Sequence, residues 1–323
     1  MPPLSRRALL GAAGLGFAPA AVAQGDWPGG RPVALTIPYG PGGGTDILGR
    51  VVTQSLAERT GGTFVMDHKP GGATTVAARH VARARPDGTT LLMGAVGTFT
   101  LAPFAFRNLG YDPLRDFEHI TQIAETILVL VANPRWDSLE AAIAGARRRP
   151  GELSFATWGV GSSSHLLLVD MMARAGIELI HVPYTSTPPA LTDTVAGRTD
   201  MMFSPLATAK PHIESGRLRA LAMIRDTRAS VLPAVPTVDE AGLPGLRTSS
   251  WLSLQAPAGT PQPILASIEE IVSRAFQAET NRALLDGLGM ASVTFGAAAL
   301  RARIIEELPR HRELMERAGI QPE

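Results

Sequence analysis

The sequence predicts an α/β fold made of two domains that face one another. A short apolar run, Val33 to Ile37, leads into the glycine-rich segment 38–46, and a periodic segment follows from Ile47 to Leu56. This pattern predicts a strand that enters the loop and a helix that leaves it. The same design returns about 120 residues later, where Leu153 to Thr157 precedes the small-residue loop 158–164. Two loops that each enter a helix N-terminus indicate two opposed units.

The first 23 residues have the layout of an export signal. Arg6-Arg7 precedes the apolar stretch 8–18, and Ala21-Val22-Ala23 has the form of a cleavage site, so cleavage is expected after Ala23. The paired arginines suit the twin-arginine route and Leu9-Leu10 suits ordinary secretion, so both export routes stay open. No later stretch is long and apolar enough to cross a bilayer.

Composition excludes several classes of function. Loss of residues 1–23 removes two arginines and no acid, which changes the formal net charge from +1 to −1. Such a balance gives no basic footprint for nucleic acid or a membrane surface. The chain has no cysteine, so disulfides, thiolate metal sites and a cysteine nucleophile are excluded. Burial of a large apolar fraction, 45% of the residues, must therefore hold the fold.

Strands and helices alternate along the chain. Strands are predicted at Val33–Ile37, Thr63–Asp67, Thr90–Ala95, His119–Ala124, Leu128–Ala132, Leu153–Thr157, Leu179–Pro183, Asp200–Ser204, Arg219–Ile224, Trp251–Ala256 and Ser292–Thr294. Helices are predicted at 47–56, after the turn 69–74 as far as Ala84, from the capping box 137–140 to about Arg149, and at His165–Ala175, Pro189–Ala196, Thr208–Ser215 and Ile264–Ala278, with a short helix next and a closing helix through Met315.

This alternation predicts parallel pairing with right-handed crossovers. Ligands of such sheets gather outside the carboxyl ends of the strands. The loops 40–46 and 95–98 are expected at one such edge. The proline-rich passage 232–245 is expected to be a long connector.

The first glycine loop offers main-chain N–H groups to an anion. Its four glycines allow sharp turns and close approach of a ligand, although the same glycines also serve a purely structural turn. Thr45 or Asp46 suits the helix cap, and Asp46 could instead select ligands that carry an amino group. No Gly-Lys-Ser/Thr ends the loop, which argues against a nucleotide P-loop. Tyr39 is a candidate wall of the pocket.

The second loop could in principle hold a catalytic serine at Ser162, Ser163 or Ser164 beside His165. The pattern lacks the second glycine of a nucleophile elbow, and adjacent helical residues do not face one another. The seven histidines show no metal-ligand spacing, so no metal or cofactor is expected. Trp158 could close over a ligand or belong to the core.

A dozen motifs in register resemble the extracytoplasmic solute receptors of tripartite tricarboxylate transporters, also called Bug receptors. The resemblance covers essentially the whole mature chain. Its landmarks are Ile37 to Asp46, Lys69-Pro70-Gly71-Gly72, Pro86 to Leu92, Tyr111-Asp112-Pro113, Asp116-Phe117, Pro150 to Leu153, Gly159 to Ser162 with His165, His181 to Tyr184, Pro189-Ala190-Leu191, Gly216 to Leu221, Pro236-Thr237, Glu240-Ala241-Gly242, Trp251 and Ala256 to Pro261.

The resemblance implies a periplasmic-binding-protein (Venus flytrap) fold with two interdomain crossovers. It implies residues 24–125 and 250–323 in domain 1 and residues 126–249 in domain 2. It also implies a periplasmic location, membrane subunits of such a transporter as partners and a small carboxylate as ligand. A monomer without a cofactor is expected.

Receptors of this family hold carboxylates mainly through main-chain amides of the two loops. The residues that the resemblance assigns to ligand binding are Tyr39, Gly40, Gly43, Gly44, Thr45, Asp46, Gly97, Thr98, Trp158, Gly159, Gly161, Ser162, Ser163, Tyr184, Phe203 and Ser204. Two departures fall near the implied crevice: Thr185-Ser186 stands where the family has Lys-Gly, and Ala102 stands where it has asparagine.

Two functions follow from the sequence. The first is a receptor that captures a carboxylate and releases it unchanged. The alternative is a secreted α/β enzyme that acts on an anionic small molecule through the same loops. The enzyme needs a paired base and nucleophile in the cleft, which the sequence does not offer.

Overall fold

A computed structural model describes residues 27–41, 44–184, 187–229, 231–247 and 250–322. The predicted export signal, Gly43 and the pair Thr185-Ser186 lie outside the described residues. Over the described part of the chain, no helix is long and apolar enough to span a membrane.

The first sheet contains six strands within the described residues, and its first four are separated by helices. These elements are β1 (Val33–Ile37), α1 (Gly44–Thr60), β2 (Phe64–His68), α2 (Thr75–Ala82), β3 (Thr90–Ala95), α3 (Ala102–Ala105) and β4 (Phe117–Thr126).

The chain then builds a second sheet of five strands over the described residues. Its elements are β5 (Leu128–Ala132), α4 (Leu139–Arg148), β6 (Ser154–Thr157), α5 (Ser163–Ala175), β7 (Ile180–Pro183), α6 (Thr187–Val195), β8 (Met201–Pro205), α7 (Leu206–Glu214) and β9 (Arg219–Met223).

The chain finally returns to the first sheet and completes it. The returning elements are β10 (Trp251–Pro257), α8 (Gln262–Gln277), α9 (Glu279–Gly287), β11 (Met290–Gly296) and α10 (Ala297–Arg317).

Strand order shows why the glycine loops lie at sheet edges. The first sheet has the order β11-β4-β10-β3-β1-β2, with β1 parallel to both β2 and β3, as predicted. The second has the order β7-β6-β8-β5-β9, with β6 parallel to β7 and β8. Because parallel neighbours end at the same edge, the segments after β1, β2 and β3 meet there. β10 is antiparallel to β3 and β4 because it re-enters from the second sheet.

Each sheet has apolar packing on both faces. In the first, Leu48 and Val52 of α1 pack with Ile268 of α8 on one face, whereas α2 and α10 cover the other. In the second, the rings of Phe155 and Phe203 pack with centroids 5.0 Å apart and planes inclined by 52° on the α5 side. We call each sheet with the helices packed on it a unit. A further buried cluster joins the two units: Leu101, Leu314 and Met315 come from the first unit, and Leu166 of α5 comes from the second.

The first crossover is a single residue, Ile127, between β4 and β5. Its N–H donates to the carbonyl of Gly289 at 2.9 Å, and its carbonyl accepts from the N–H of Leu206 at 2.9 Å. Beside it, the N–H of Thr126 donates to the carbonyl of Ser250 at 2.7 Å, where the chain returns. Both crossovers are therefore held together by main-chain hydrogen bonds.

We expect Gly289→Ala to lower the free energy of unfolding by about 2–4 kcal/mol. Gly289 has a φ of 62°, and a Cβ there would lie 2.5 Å from the main-chain nitrogen of Ala207. Gly61 is the matched control, since it has a φ of 68° and open space around the Cβ position. Gly61→Ala should cost about 1–2 kcal/mol in denaturant unfolding. Equal losses for the two variants would contradict a close approach at the crossover.

Acid should destabilise the fold through buried neutral histidines. Burial lowers the pKa of His119 and of His311 to about 4 from the ordinary 6.5. The unfolded chain therefore binds protons first, and the stability present above pH 6.5 is lost as the pH falls toward 4. Between these two pKa values, each histidine lowers the free energy of unfolding by up to about 1.4 kcal/mol for each pH unit of acidification. His311→Asn, which keeps a polar partner for Thr100, should give a shallower pH dependence in denaturant titrations; an unchanged slope would contradict this assignment.

Candidate functional site

The first candidate loop joins β1 to the N-terminus of α1. Along the 17 residues of α1, the peptide dipoles add toward its first turn. The main-chain N–H groups of Gly44 and Thr45 find no acceptor among the described residues. Tyr39 is 41% exposed and Gly40 is exposed beside this helix end. Among its described residues, the loop therefore combines an exposed aromatic ring with main-chain donors that have no acceptor in that part of the chain.

Asp46 has a different environment from that expected of a ligand-selecting group. Its side chain is buried, and its carboxylate lies 2.8 Å from Nε2 of His68 and accepts from a guanidinium N–H of Arg50 at 3.2 Å. These contacts tie the first turn of α1 to the end of β2. The Arg50 charge also offsets the Asp46 charge near the helix N-terminus, which lessens repulsion of an approaching anion.

The segment after β3 was predicted to be a loop, and this was wrong. Residues Gly97–Leu101 form one turn of π-helix that continues into α3. Side-chain hydroxyls bond to main-chain carbonyls of this π-helical turn. The Thr100 hydroxyl donates to the carbonyl of Val96, and the Tyr111 hydroxyl donates to the carbonyl of Thr98 at 2.6 Å. The Thr98 side chain is fully buried, whereas Gly97 is partly exposed.

Thr74 adjoins this helix and was not among the predicted site residues. Its hydroxyl lies 2.8 Å from that of Thr98, and its φ of 83° is rare for a β-branched residue. Such strain persists where surrounding structure enforces it, commonly at functional sites. The parallel pairing of β1 and β2 could have pointed to it, since the turn 71–74 follows β2 at the same edge.

The second candidate loop joins β6 to α5 and is held by its own side chains. Ser162 caps α5: its Oγ accepts from the N–H of His165 at 3.4 Å and donates to the carbonyl of Gly159 at 2.6 Å. Oγ of Ser164 accepts from the N–H of Trp158 at 3.1 Å. Gly159 and Gly161 have φ values of 130° and 72°, which other residues rarely adopt.

Most amides of this loop already have partners. The N–H of Gly161 donates to Nδ1 of His165 at 3.2 Å, and that of Ser162 donates to the carbonyl of Gly159 at 3.3 Å. Among the described residues, no acceptor is found for the N–H groups of Val160, Ser163 and Ser164. Val160, which is 65% exposed, was not among the predicted site residues, although its position between two glycines marks the exposed tip of the loop.

The remaining predicted residues are engaged inside the second unit. The Tyr184 hydroxyl donates to Asp193 at 2.8 Å, and the Tyr184 carbonyl lies 3.5 Å from a Cβ placed at Gly159. The Phe203 side chain is buried in the core, and Ser204 is buried with its hydroxyl bonded locally. Trp158 is half-buried and packs against the core of the second sheet.

The second loop lies where the two units touch. Cε of Met315, from α10, lies 3.8 Å from a Cβ placed at Gly161. Met315 also belongs to the buried cluster with Leu101 and Leu166, which come from different units. Any shift of one unit against the other therefore reaches this loop directly.

Two other features of the described residues lie apart from the candidate loops. No group of three or more His, Cys, Asp or Glu side chains among the described residues could hold a metal ion. A cleft beside Ile127 contains none of the predicted site residues, and it is lined by Arg225, Arg228, Ala229, Val231, Arg282, Asp286, Ala291 and Ser292.

Two α/β units linked by paired crossovers define the class: a two-domain solute-binding protein. The structure of R. palustris Rpa4515 with adipate matches at a TM-score of 0.82 and 32% identity, over 92% of this chain and 100% of that chain. The structure of MatC from Rhodopseudomonas palustris with bound malate matches at a TM-score of 0.74 and 31% identity, over 88% of this chain and 98% of that chain. The structure of the periplasmic binding protein BugD matches at a TM-score of 0.77 and 28% identity, over 91% of this chain and 99% of that chain.

The chain belongs to the tripartite tricarboxylate transporter family receptors, whose family model matches residues 48–320. Protein BugT of Bordetella pertussis is 31% identical over 296 residues, which are 90% of each chain. A Pseudomonas sp. protein from the tcbD-tcbE intergenic region is 35% identical over 263 residues, which are 80% of this chain and 78% of the relative.

We predict that Ser162→Ala lowers the free energy of unfolding by about 1 kcal/mol because α5 loses its cap. Ser138 caps α4 in the same way, away from the site, and Ser138→Ala should cost about as much. Only Ser162→Ala should speed amide hydrogen exchange across 158–161, since Ser162 also holds Gly159. Equal exchange of that segment in both variants would disprove the role of Ser162 in ordering the loop.

Proposed function

We propose that this protein is a periplasmic receptor that holds a small carboxylate between the N-termini of α1 and α5. The observation that carries the proposal is the pair of helix ends whose main-chain N–H groups have no acceptor among the described residues, Gly44 and Thr45 on one and Val160 and Ser163 on the other. Helix N-termini favour anions through these donors and the helix dipole. Structures of similar proteins with adipate and with malate support the ligand class.

Main-chain donors suffice for useful affinity. A hydrogen bond to a charged group contributes ~1.5–3 kcal/mol, and each helix end adds ~0.3–2 kcal/mol. Four or five such bonds and two helix ends give roughly 7–19 kcal/mol before the cost of association. Micromolar binding needs a net free energy of about 8 kcal/mol, which the upper part of this range leaves after the association cost without an arginine in the cleft.

Release and delivery follow from the two-unit design. A carboxylate that contacts both helix ends favours the closed arrangement by its differential contact, and the membrane subunits of a tripartite tricarboxylate transporter would recognise that arrangement. The proposal includes export with cleavage after Ala23, a monomer, and units bounded near residues 125 and 250.

The arrangement of serines and histidines gives no support to a hydrolase. Ser162 Oγ is bonded to the Gly159 carbonyl and to Ser164, and His165 Nδ1 accepts a main-chain N–H where a catalytic base would accept from a serine hydroxyl. Each group therefore has a loop-ordering partner. A product assay during the binding measurements below addresses the enzymatic alternative directly.

Replacement of Ser163 by proline tests the proposal because it removes one main-chain N–H group from the N-terminus of α5. Ser163 is the first residue of α5, where proline is well tolerated, and Ser162 has the extended φ and ψ of −73° and 162° that proline requires before it. Ser163→Pro deletes the N–H, whereas Ser163→Ala keeps it and removes only the hydroxyl. With adipate and malate as probes in calorimetry, Ser163→Pro should lose about 10- to 100-fold in affinity.

Ser163→Ala is the matched control and should bind adipate and malate nearly as tightly as the wild type does. Equal affinities of the proline variant and the wild type would contradict donation by the α5 end. Absence of binding by the wild type across a panel of dicarboxylates, aromatic acids and amino acids, or conversion of a probe to product, would contradict the receptor proposal itself.

A further inference from the structure

Two histidines lie directly beneath the second loop. The rings of His165 on α5 and His181 on β7 stack with centroids 4.0 Å apart and planes inclined by 10°. His165 is buried, and His181 is half-buried with Nε2 at 2.7 Å from the hydroxyl of Thr157. The pair thereby links the end of β6, the start of α5 and β7.

The hydrogen bond to Gly161 fixes the protonation state of His165. A main-chain N–H can only donate, so Nδ1 of His165 must accept at 3.2 Å and its ring proton lies on Nε2. The contact resembles a capping box, in which the third helical residue reaches back to the chain before the helix. Only the neutral ring can make it, since protonated Nδ1 is itself a donor.

Surrounding groups keep this ring neutral near neutral pH. Burial, and secondarily the adjacent His181, lower the pKa of His165 to about 4, and burial also lowers the pKa of His181. The N-terminus of α5 further disfavours a cation there. The titratable group against the His165 ring is His181, and the nearby hydroxyls of Ser162, Ser164 and Thr157 are uncharged.

We propose that His165, stacked on His181, is a positioning residue that holds the second loop ready for ligand and releases it in acid. Protonation of His165 replaces acceptance from Gly161 with a clash of two donors. The adjoining main-chain N–H groups of Val160 and Ser163, which have no acceptor among the described residues, then lose their fixed direction. The ligand arm of this inference rests on the proposed function, whereas the order of the loop itself does not.

A matched pair of variants separates the hydrogen bond from the stacking. His165→Asn and His165→Leu both lose the imidazole and the proton site, but Asn Oδ1 stands where Nδ1 stands and can accept from Gly161. In ligand-free protein at pH 7.5, hydrogen exchange of 158–163 should be three- to tenfold faster in His165→Leu than in His165→Asn. Equal protection of this segment in both variants would overturn the positioning role.

The pH arm uses the same pair. From pH 7.5 to 3.5, a range that includes the pKa of about 4 of His165, protection of 158–163 against hydrogen exchange should fall more steeply in the wild type than in His165→Asn, and so should affinity for adipate. Comparison at each pH cancels titration of the adipate itself. Parallel pH profiles would overturn the acid release. Failure of the wild type to bind adipate would contradict only the ligand arm, since the exchange measurements decide the inference without ligand.

Discussion

The structure depends on one constraint: the first main-chain N–H groups of a helix have no acceptor within that helix. At α5, Ser162 and Ser164 satisfy part of this need, and His165 holds the chain just before it. The donors left over are fixed in direction by their satisfied neighbours. A ligand that binds donors already fixed in direction does not have to order them, so the entropic cost of binding is lower. The serines and the histidine around the loop therefore contribute to affinity through this order.

The contact between the two units gives the loop a mechanical role. Ile127 alone spans the first crossover, so little chain must change for one unit to move against the other. Met315 packs beside Gly161 and, with Leu166, forms part of the buried cluster shared by both units. A movement of one unit against the other would therefore act on the second loop through these packed side chains.

Much of the fold could be predicted because apolar periodicity and glycine turns are local signals. The bounds of β1, β3 and β5 agree with the sequence prediction, as does the parallel pairing of β1 with its neighbours. The antiparallel β10 could not be deduced from alternation, since its direction depends on the excursion through the second sheet. The π-turn after β3 depends on hydroxyl partners distant in sequence, such as Tyr111.

The candidate loops were predictable as segments, but the free donors within them were not. Whether an amide is free depends on which side chains turn back on it, and those of Ser164 and His165 occupy two that sequence reasoning assigned to ligand. Val160 and Thr74 had local signals, a position between two glycines and a turn after β2, but the exposure of one and the positive φ of the other are seen only in the folded chain. The stacking of His165 on His181 likewise needs β7 in place beside α5.

The most direct test of the central claim is a crystal structure of the protein with adipate bound. Carboxylate oxygens should lie within hydrogen-bond distance of the main-chain nitrogen of Ser163 or Val160 at one end, and of Gly44 or Thr45 at the other. An adipate held by side chains elsewhere, for example in the arginine-lined cleft beside Ile127, would contradict it.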